Sequence, residues 1–317
     1  MTCHNCNSQC KKFGKDRKKN QRYQCAQCSK TFIEPKADPL DGMYLPIEKA
    51  TAVLQLLLEG MSIRSAERFT GINRNTILKL IVVAGEKCEK LLATKIKNIP
   101  VSDVQCDEIW GFVAKKEAHK WMYEANNQAI GDAWCFVAIE RNTKLILTWH
   151  LGKRTTNHTE QFISKLGKAT ARKSYQLSTD GFNGYPAAVD YYLTDRGVDY
   201  GQLIKVYGAS REGEQRYSPA EVVTAKPHPV LGLPDVNRIC TSHVERQNLS
   251  IRMGMRRLTR LTNAFSKKWD NLKAAYALWF AFYNFCRVHK TIRMTPAMEA
   301  GIADRIWNVS DLLSPAA

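Results

Sequence analysis

Three acidic side chains lie in sequence contexts that suit metal-dependent chemistry on phosphates. Asp107 falls within 101–113, whose alternating pattern predicts a β-strand. Asp180 follows a short predicted strand, 175–179, and Glu245 lies near the start of a predicted helix. Acids at strand ends are typical of binding sites in open α/β sheets. Taken singly, each has a simpler explanation: a turn residue for Asp180, an edge-strand charge for Asp107 and a helix-dipole partner for Glu245.

Asp107 and Glu108 are adjacent in the predicted strand. Successive side chains of a strand point to opposite faces of the sheet. The sequence therefore predicts that at most one of these two carboxylates serves the same site.

The segment 241–260 reads as one amphipathic helix, because apolar side chains recur along it at helical spacing. A second stripe of this helix carries Glu245, Arg252, Arg256 and Arg260. A carboxylate followed by a basic track can hold a divalent cation beside a phosphate backbone. The simpler interpretation is a solvated basic face with an acid in its first turn.

The composition indicates a folded protein with polyanionic partners. The chain has 317 residues, of which 44% are hydrophobic, so disorder is not expected. Its formal net charge of +17 favours nucleic acid or an anionic surface as the partner. No apolar run is long enough to span a bilayer, and the N-terminal residues have no apolar signal core. We therefore expect a cytosolic protein with no membrane partner.

The first 40 residues are predicted to form a zinc ribbon or finger. Two Cys-x-x-Cys pairs flank the 18 residues 7–24, which matches a tetrahedral zinc site, and unrelated reduced thiols are the alternative. The predicted ligands are Cys3, Cys6, Cys25 and Cys28. His4 and Cys10 are spare donors that could replace one of them. The segment between the pairs is rich in lysine and arginine and is expected to lie against phosphates, and 35–39 reads as a linker.

Residues 44–95 are predicted to form a helix-turn-helix. Ser62 and Asn73 are helix caps, and glycines separate three short apolar-faced helices. The last helix exposes Arg74, Asn75 and Lys79, which can contact base edges or phosphates. A plain helical hairpin is the alternative, but the basic neighbouring module favours DNA binding.

Residues 98–290 have the element order of an RNase H-like α/β domain: three strands, then a helix, a strand, a helix, a strand and a long helix. The stretch 209–237, rich in proline, glycine and charge, predicts a long loop, so we place an insertion at 208–238. Aromatic residues from Phe265 to Phe285 predict one long closing helix whose rings lie in the core, with base stacking as a minor alternative. Residues 291–317 are expected to form a helical tail.

Several motifs together resemble the transposases of the insertion-sequence-one family of bacteria, which have a DDE catalytic site in an RNase H-like core. The likeness covers almost the whole chain and is strongest around Glu245. It is carried by the zinc and helix-turn-helix patterns, by Asp107-Glu108-Ile109-Trp110, by Ser178-Thr179-Asp180-Gly181, by Val244-Glu245-Arg246-Gln247-Asn248-Leu249 with Arg252, and by Tyr283-Asn284-Phe285-Cys286-Arg287-Val288-His289-Lys290.

The resemblance implies that Asp107, Asp180 and Glu245 form the catalytic triad, and that Asn248 and Arg252 belong to the same motif. Such a triad would hold two Mg²⁺ ions about 4 Å apart, with Mn²⁺ as a substitute. Arg252 would hold the DNA strand, and Asn248 and Arg256 would also contact DNA. The implied reaction is hydrolysis at the 3′ end of the element, followed by attack of that 3′ hydroxyl on target DNA.

The implied partners are the terminal inverted repeats and target DNA, bound by a homodimer or larger assembly in the bacterial cytosol or nucleoid. Two other functions fit the same residues. The first is a zinc and helix-turn-helix DNA-binding regulator without catalysis. The second is an RNase H-like nuclease that cuts without strand transfer.

Overall fold

The structure is a computed structural model that describes residues 2–3, 6, 8–17, 20–33, 40–208, 222–259 and 262–314. The chain divides into two compact units, Met1–Met43 and Tyr44–Ala317. His4, Arg260 and the predicted linker 35–39 lie outside the described residues.

The first unit contains a three-stranded antiparallel sheet. Its strands are β1 (Cys10–Lys15), β2 (Gln21–Cys25) and β3 (Thr31–Ile33), in that order. Among the described residues of 2–33, only Cys3 and Cys25 are buried. The described part of 2–33 therefore buries cysteine side chains and almost no hydrocarbon.

Three helices open the second unit: α1 (Ile47–Leu58), α2 (Ile63–Thr70) and α3 (Arg74–Lys95). Both predicted caps form. The hydroxyl of Ser62 accepts a hydrogen bond from Ser65 N, and the Asn73 side chain accepts one from Asn75 N. α2 ends at Gly71 in the left-handed conformation, with φ of 71°, which lets the chain turn sharply into α3.

A six-stranded mixed sheet forms the centre of the second unit. Its strands are β4 (Asp103–Val113), β5 (Gly131–Glu140), β6 (Ile146–Gly152), β7 (Gln176–Asp180), β8 (Asp199–Tyr207) and β9 (Val222–Leu231). Two helices connect strands across it: α4 (Thr156–Ala169) and α5 (Tyr185–Leu193). The strand order is β6-β5-β4-β7-β8-β9. β4 is antiparallel to β5 and parallel to β7, and β7 is parallel to β8. This arrangement is consistent with the expected RNase H-like fold.

The prediction of a loop over 209–237 is wrong for part of that range, because 222–231 forms β9, which is antiparallel to β8. β9 ends the strand order within the described ranges, where only one of its sides pairs. Proline lacks a backbone N–H and therefore cannot donate a hydrogen bond within a sheet. It is tolerated in an edge strand, on the side that faces solvent, which explains how Pro227 and Pro229 fit in β9. Pro227 pairs with Leu203, and Pro229 pairs with Gly201.

The helix predicted over 241–260 is shorter than expected. α6 covers Ser242–Gly254, and Arg256–Leu258 is a separate 3₁₀ turn. α6 ends against α7 (Trp269–Phe285), where a Cβ added to Gly254 would approach the Trp279 ring to 2.1 Å. Because the chain turns away at this contact, Arg256 does not continue the helical stripe that begins at Glu245.

The closing helix also begins later than predicted, at Trp269 rather than Phe265. Phe265 lies outside the helix, with its ring centroid 4.6 Å from that of Phe112 on β4. The preference for core over base stacking is confirmed for α7, because Tyr276, Trp279, Phe280 and Phe285 are almost fully buried. A short helix, α8 (Pro296–Glu299), follows.

Two close contacts join the helices to the sheet and to each other. α3 approaches α7 so closely that a Cβ on Gly85 would lie 2.5 Å from Ala274. The fully buried Asn284 of α7 accepts from Ile146 N at 3.0 Å and donates to Ile146 O at 2.9 Å. Among the helices of the described ranges, none combines the length and apolar character needed to cross a bilayer.

Candidate active site

Two adjacent parallel strands bring Asp107 and Asp180 together. The ladder between β4 and β7 ends at the pair Cys106 and Thr179, so the two aspartates follow directly at the carboxyl end of β7. Carboxylate oxygens of Asp107, Glu108 and Asp180 lie within 4.8 Å of one another. The predicted placement of Asp107 within a strand and of Asp180 at a strand end therefore leads to one acidic cluster.

The expectation that only one of Asp107 and Glu108 could serve this site is wrong. Successive side chains of β4 still alternate, but β7 ends at Asp180 while β4 continues to Val113, so β7 does not separate the two faces beyond that point. Beyond the end of β7, side chains from both faces of β4 can reach the same space. Glu108 has the longer side chain and reaches the cluster from the face opposite Asp107.

α6 forms the other wall of the cluster. An open cleft of about 440 Å³ is lined by Asp107, Glu108, Ile109, Glu245, Asn248, Leu249 and Arg252. Asn248 donates a hydrogen bond from Nδ2 to Asp107 Oδ2 at 2.8 Å. The Arg252 guanidinium donates to the main-chain carbonyls of Leu258 and Trp110, at 3.1 and 3.0 Å. Arg252 therefore ties α6 to β4.

Glu245 lines the same cleft but stands apart from the acidic cluster. Its Oε1 accepts from the Thr241 hydroxyl and forms an ion pair with Lys205 on β8. The Glu245 side chain is 42% exposed. The third predicted catalytic residue thus lies in the cleft but outside the acidic cluster, paired with a lysine.

Two residues at the cluster carried no recognised signal in the sequence. Arg154, in the turn between β6 and α4, lies with Nε 3.1 Å from Glu108 Oε2 and with Nη2 3.5 Å from Asp180 Oδ2. Tyr185, fully buried on α5, donates its hydroxyl to Glu108 Oε1. Neither lies in a motif that the sequence singles out, and only the tertiary fold places them together.

Burial and mutual repulsion hold protons on this cluster. Burial, with the neighbouring charge of Asp180, raises the pKa of Asp107 to about 7. The same causes, in the same order, raise the pKa of Glu108 to about 8. Burial also raises the pKa of Asp180. A divalent cation would relieve this repulsion, as expected of a site that binds metal through ionised carboxylates.

These raised values predict that the protein without added divalent cation becomes less stable as the pH rises. Asp107 and Glu108 bind more protons folded than unfolded, so the free energy of unfolding should fall by about 1–2 kcal/mol between about pH 7 and 8.5. Denaturant titrations of the zinc-loaded protein measure this. About 10 mM Mg²⁺ should restore more stability at the higher pH.

Glu108→Gln is the control for this pH dependence, because it removes the group with the higher of the two pKa values. Its unfolding free energy should fall less over the same range. Equal slopes in the variant and the parent protein would contradict the assignment of the effect to this cluster.

The chemistry of the donor set fits a hard divalent cation such as Mg²⁺, which prefers oxygen ligands. Asp107, Glu108 and Asp180 offer carboxylate oxygens within 4.8 Å of one another. Asn248 Oδ1 is also buried and has no hydrogen-bond partner among the described residues. An uncompensated buried carbonyl in an acidic cleft is explained if it accepts a hydrogen bond from a water that hydrates the bound ion.

The four predicted zinc ligands converge in the first unit. The sulfurs of Cys3, Cys6, Cys25 and Cys28 lie within 4.8 Å of one another. Cys3 and Cys28 are 3.5 Å apart, as are Cys6 and Cys25. Cys10 is not in this group, and its thiol contacts Ser8 O instead. The cluster fits a tetrahedral zinc site closed by four thiolates.

The predicted DNA-contacting residues on α3 are all exposed: Arg74, Asn75 and Lys79 lie on the first turns of that helix. Arg256 is also exposed. Their positions leave them available to a partner, and their role in DNA binding stays a prediction.

Comparison with known proteins gives distant structural similarities only. No protein-family model matches the sequence, and no curated protein matches it. Among solved structures, the chain is similar to the Mos1 transposase paired-end complex with left transposon end, at 13% identity and a TM-score of 0.22. The alignment covers 53% of this chain and 62% of that one, which is less than two thirds of its length.

An Argonaute of Aquifex aeolicus is similar at 12% identity and a TM-score of 0.29, over 75% of this chain and 40% of that one. The Mos1 strand transfer complex aligns at 10% identity and a TM-score of 0.23, over 78% of this chain and 80% of that one. At these scores the alignments carry no argument about function, which has to be argued from the residues themselves.

Proposed function

We propose that the chain is a DDE-type DNA transposase of a bacterial insertion sequence. The observation that carries this proposal is the position of Asp107, which lies in one acidic cluster with Asp180 of the adjacent parallel strand and lines one cleft with Glu245 of α6. These are the three positions implied by the resemblance to the insertion-sequence-one family. Neither simple explanation, a turn aspartate or a strand-edge charge, accounts for their meeting.

Asp107 and Asp180 would hold the divalent cations, and Glu245 would complete the site after leaving Lys205. Cations bound there would activate the attacking oxygen and stabilise the leaving oxygen of a phosphodiester. Asn248 orients Asp107 through its 2.8 Å hydrogen bond. Arg252, bound to main-chain carbonyls of β4 and the 256–258 turn, supports the cleft wall.

The proposed reaction has two steps on DNA. Water attacks the phosphodiester at the end of the element, and the broken P–O bond leaves a 3′ hydroxyl. That hydroxyl then attacks a phosphodiester of target DNA, displacing a 3′ oxygen and joining the strands. Both steps exchange one P–O bond for another, so neither requires an external energy source or a covalent enzyme intermediate.

The DNA is proposed to be held by surfaces outside the cleft. Arg74, Asn75 and Lys79 would contact the terminal inverted repeat from α3, and the basic strand β1 would lie on phosphates. Two element ends must be joined to one target, so we propose a homodimer or larger assembly. The proposed location is the bacterial cytosol or nucleoid.

A product assay tests this function. Zinc-loaded protein is incubated with a labelled terminal repeat, supercoiled target DNA and Mg²⁺ or Mn²⁺, and Glu245→Gln is compared with Glu299→Gln, an acid on α8. We expect cleaved ends and joined products from the parent protein and Glu299→Gln, and at least about a hundredfold less from Glu245→Gln.

The two alternative functions predict other products. Cleaved ends without joined molecules would indicate a nuclease without strand transfer. Specific binding of the repeat without metal-dependent cleavage would indicate a DNA-binding regulator.

A further inference from the structure

Arg154 is held by four groups at the acidic cluster. Its Nε lies 3.1 Å from Glu108 Oε2, and its Nη2 lies 3.5 Å from Asp180 Oδ2. The guanidinium carbon is 4.1 Å from the ring centroid of Phe182 and 5.1 Å from that of Trp134. Two carboxylates and two aromatic faces therefore fix this cation beside the proposed metal ligands.

The two carboxylates are not equivalent partners of Arg154. Glu108 is 1% exposed, and its second oxygen accepts the Tyr185 hydroxyl, so both of its oxygens have donors. The Asp180 side chain is 28% exposed and makes the longer contact. The guanidinium is therefore anchored at Glu108 and more weakly held at Asp180.

We propose that Arg154 is the internal counter-cation of this cluster, and that a divalent cation binds by displacing its guanidinium from Asp180. The proposal rests on the proposed function, because it assumes that Asp180 is a metal ligand. A guanidinium at 3.5 Å from Asp180 Oδ2 occupies space that a cation bound to that oxygen needs. Two positive groups at such separations also repel, most strongly where solvent is excluded.

The effect of removing Arg154 on metal affinity distinguishes this role from that of a purely structural arginine. If Arg154 competes with the metal, its removal should strengthen metal binding. If Arg154 only holds Glu108 and Asp180 in position, its removal should weaken metal binding, because the ligands would separate.

Binding of Mn²⁺ to the full zinc-loaded chain distinguishes the two roles without any catalytic assay. Free Mn²⁺ is measured by electron paramagnetic resonance, at about pH 8.5 so that protons compete little with the metal. We expect Arg154→Ala to lower the Mn²⁺ Kd by about tenfold, and Arg154→Lys to lower it by about two- to fourfold. Lysine keeps the charge but cannot bridge both carboxylates, so it also tests the proposal if the alanine variant folds poorly.

Arg305→Ala is the matched control, because Arg305 forms an ion pair with Asp311 at 2.8 Å outside the site. Its Mn²⁺ Kd should equal that of the parent protein. An unchanged or raised Kd in folded Arg154→Ala or Arg154→Lys would overturn the proposal.

Failure of the proposed function would look different. The parent protein and Asp107→Asn would then bind Mn²⁺ equally, or neither would bind it at this site. If binding depends on Asp107 and yet does not tighten without Arg154, only the role of Arg154 is wrong.

Discussion

Asp180→Asn is expected to reduce metal-dependent DNA cleavage by at least about a thousandfold, because metal ligation supplies several kcal/mol of transition-state stabilisation. Asparagine keeps the shape of the side chain, and its carbonyl oxygen can still accept the hydrogen bond from Phe182 N seen at 3.1 Å. What is lost is the charge at the carboxyl end of β7. Cleavage of a labelled terminal repeat under single-turnover conditions measures the effect.

The same variant should not lose stability. Removing the charge of Asp180 removes a cause of the raised pKa values of Asp107 and Glu108. Without added divalent cation, Asp180→Asn should therefore resist denaturant at least as well as the parent protein at about pH 8.5. Loss of cleavage together with retained stability and retained DNA binding would separate a catalytic defect from unfolding.

Asp190→Asn is the matched control for Asp180→Asn. Asp190 lies exposed on α5, where it accepts the Thr194 hydroxyl at 2.8 Å. Its replacement should leave cleavage unchanged within about threefold. Cleavage by Asp180→Asn within that same range would exclude Asp180 as a metal ligand in the reaction.

Local signals in the sequence predicted most of the elements that position the site. The period-two pattern of 101–113 gives β4, and the caps Ser62 and Asn73 give the starts of α2 and α3. Asp107 could be placed within a strand and Asp180 at a strand end for the same reason, because the local pattern shows where each strand lies. Where hydrogen bonding and periodicity within one segment determine the structure, the sequence is sufficient to predict the element.

Residues whose role depends on distant partners could not be predicted this way. Glu108 enters the cluster because β7 stops at Asp180 while β4 continues, a difference in strand length that no local pattern contains. Arg154 and Tyr185 come from a turn and a helix that meet only after the sheet forms. The end of α6 could not be predicted for the same reason, because Gly254 packs against the Trp279 ring of α7, a distant part of the chain.

The second large effect is expected in the first unit, where loss of zinc should unfold 2–33. Only Cys3 and Cys25 are buried among its described residues, and Phe13 is 43% exposed. Hydrophobic burial therefore contributes little, whereas zinc binding to four thiolates supplies about 10–16 kcal/mol in small zinc domains. The second unit has its own core and should remain folded.

Cys25→Ser and Cys10→Ser make a matched pair for testing this expectation. Cys25 belongs to the sulfur cluster, whereas Cys10 is nearby and lies outside it. Cys25→Ser should lose zinc, the dispersed amide resonances of β1 to β3 and resistance to trypsin at Lys11, Lys12 and Lys15. Cys10→Ser should retain about one zinc per chain and all three properties.

Zinc content then decides which thiols are ligands. Retention of zinc and of the sheet in Cys25→Ser would mean that another donor, such as Cys10, completes the site. Loss of zinc in Cys10→Ser would mean the same. If instead only the cluster cysteines are needed, no coordination position stays open for chemistry, and the first unit can act on DNA only by binding it. Cleavage would then have to come from the carboxylates of the second unit.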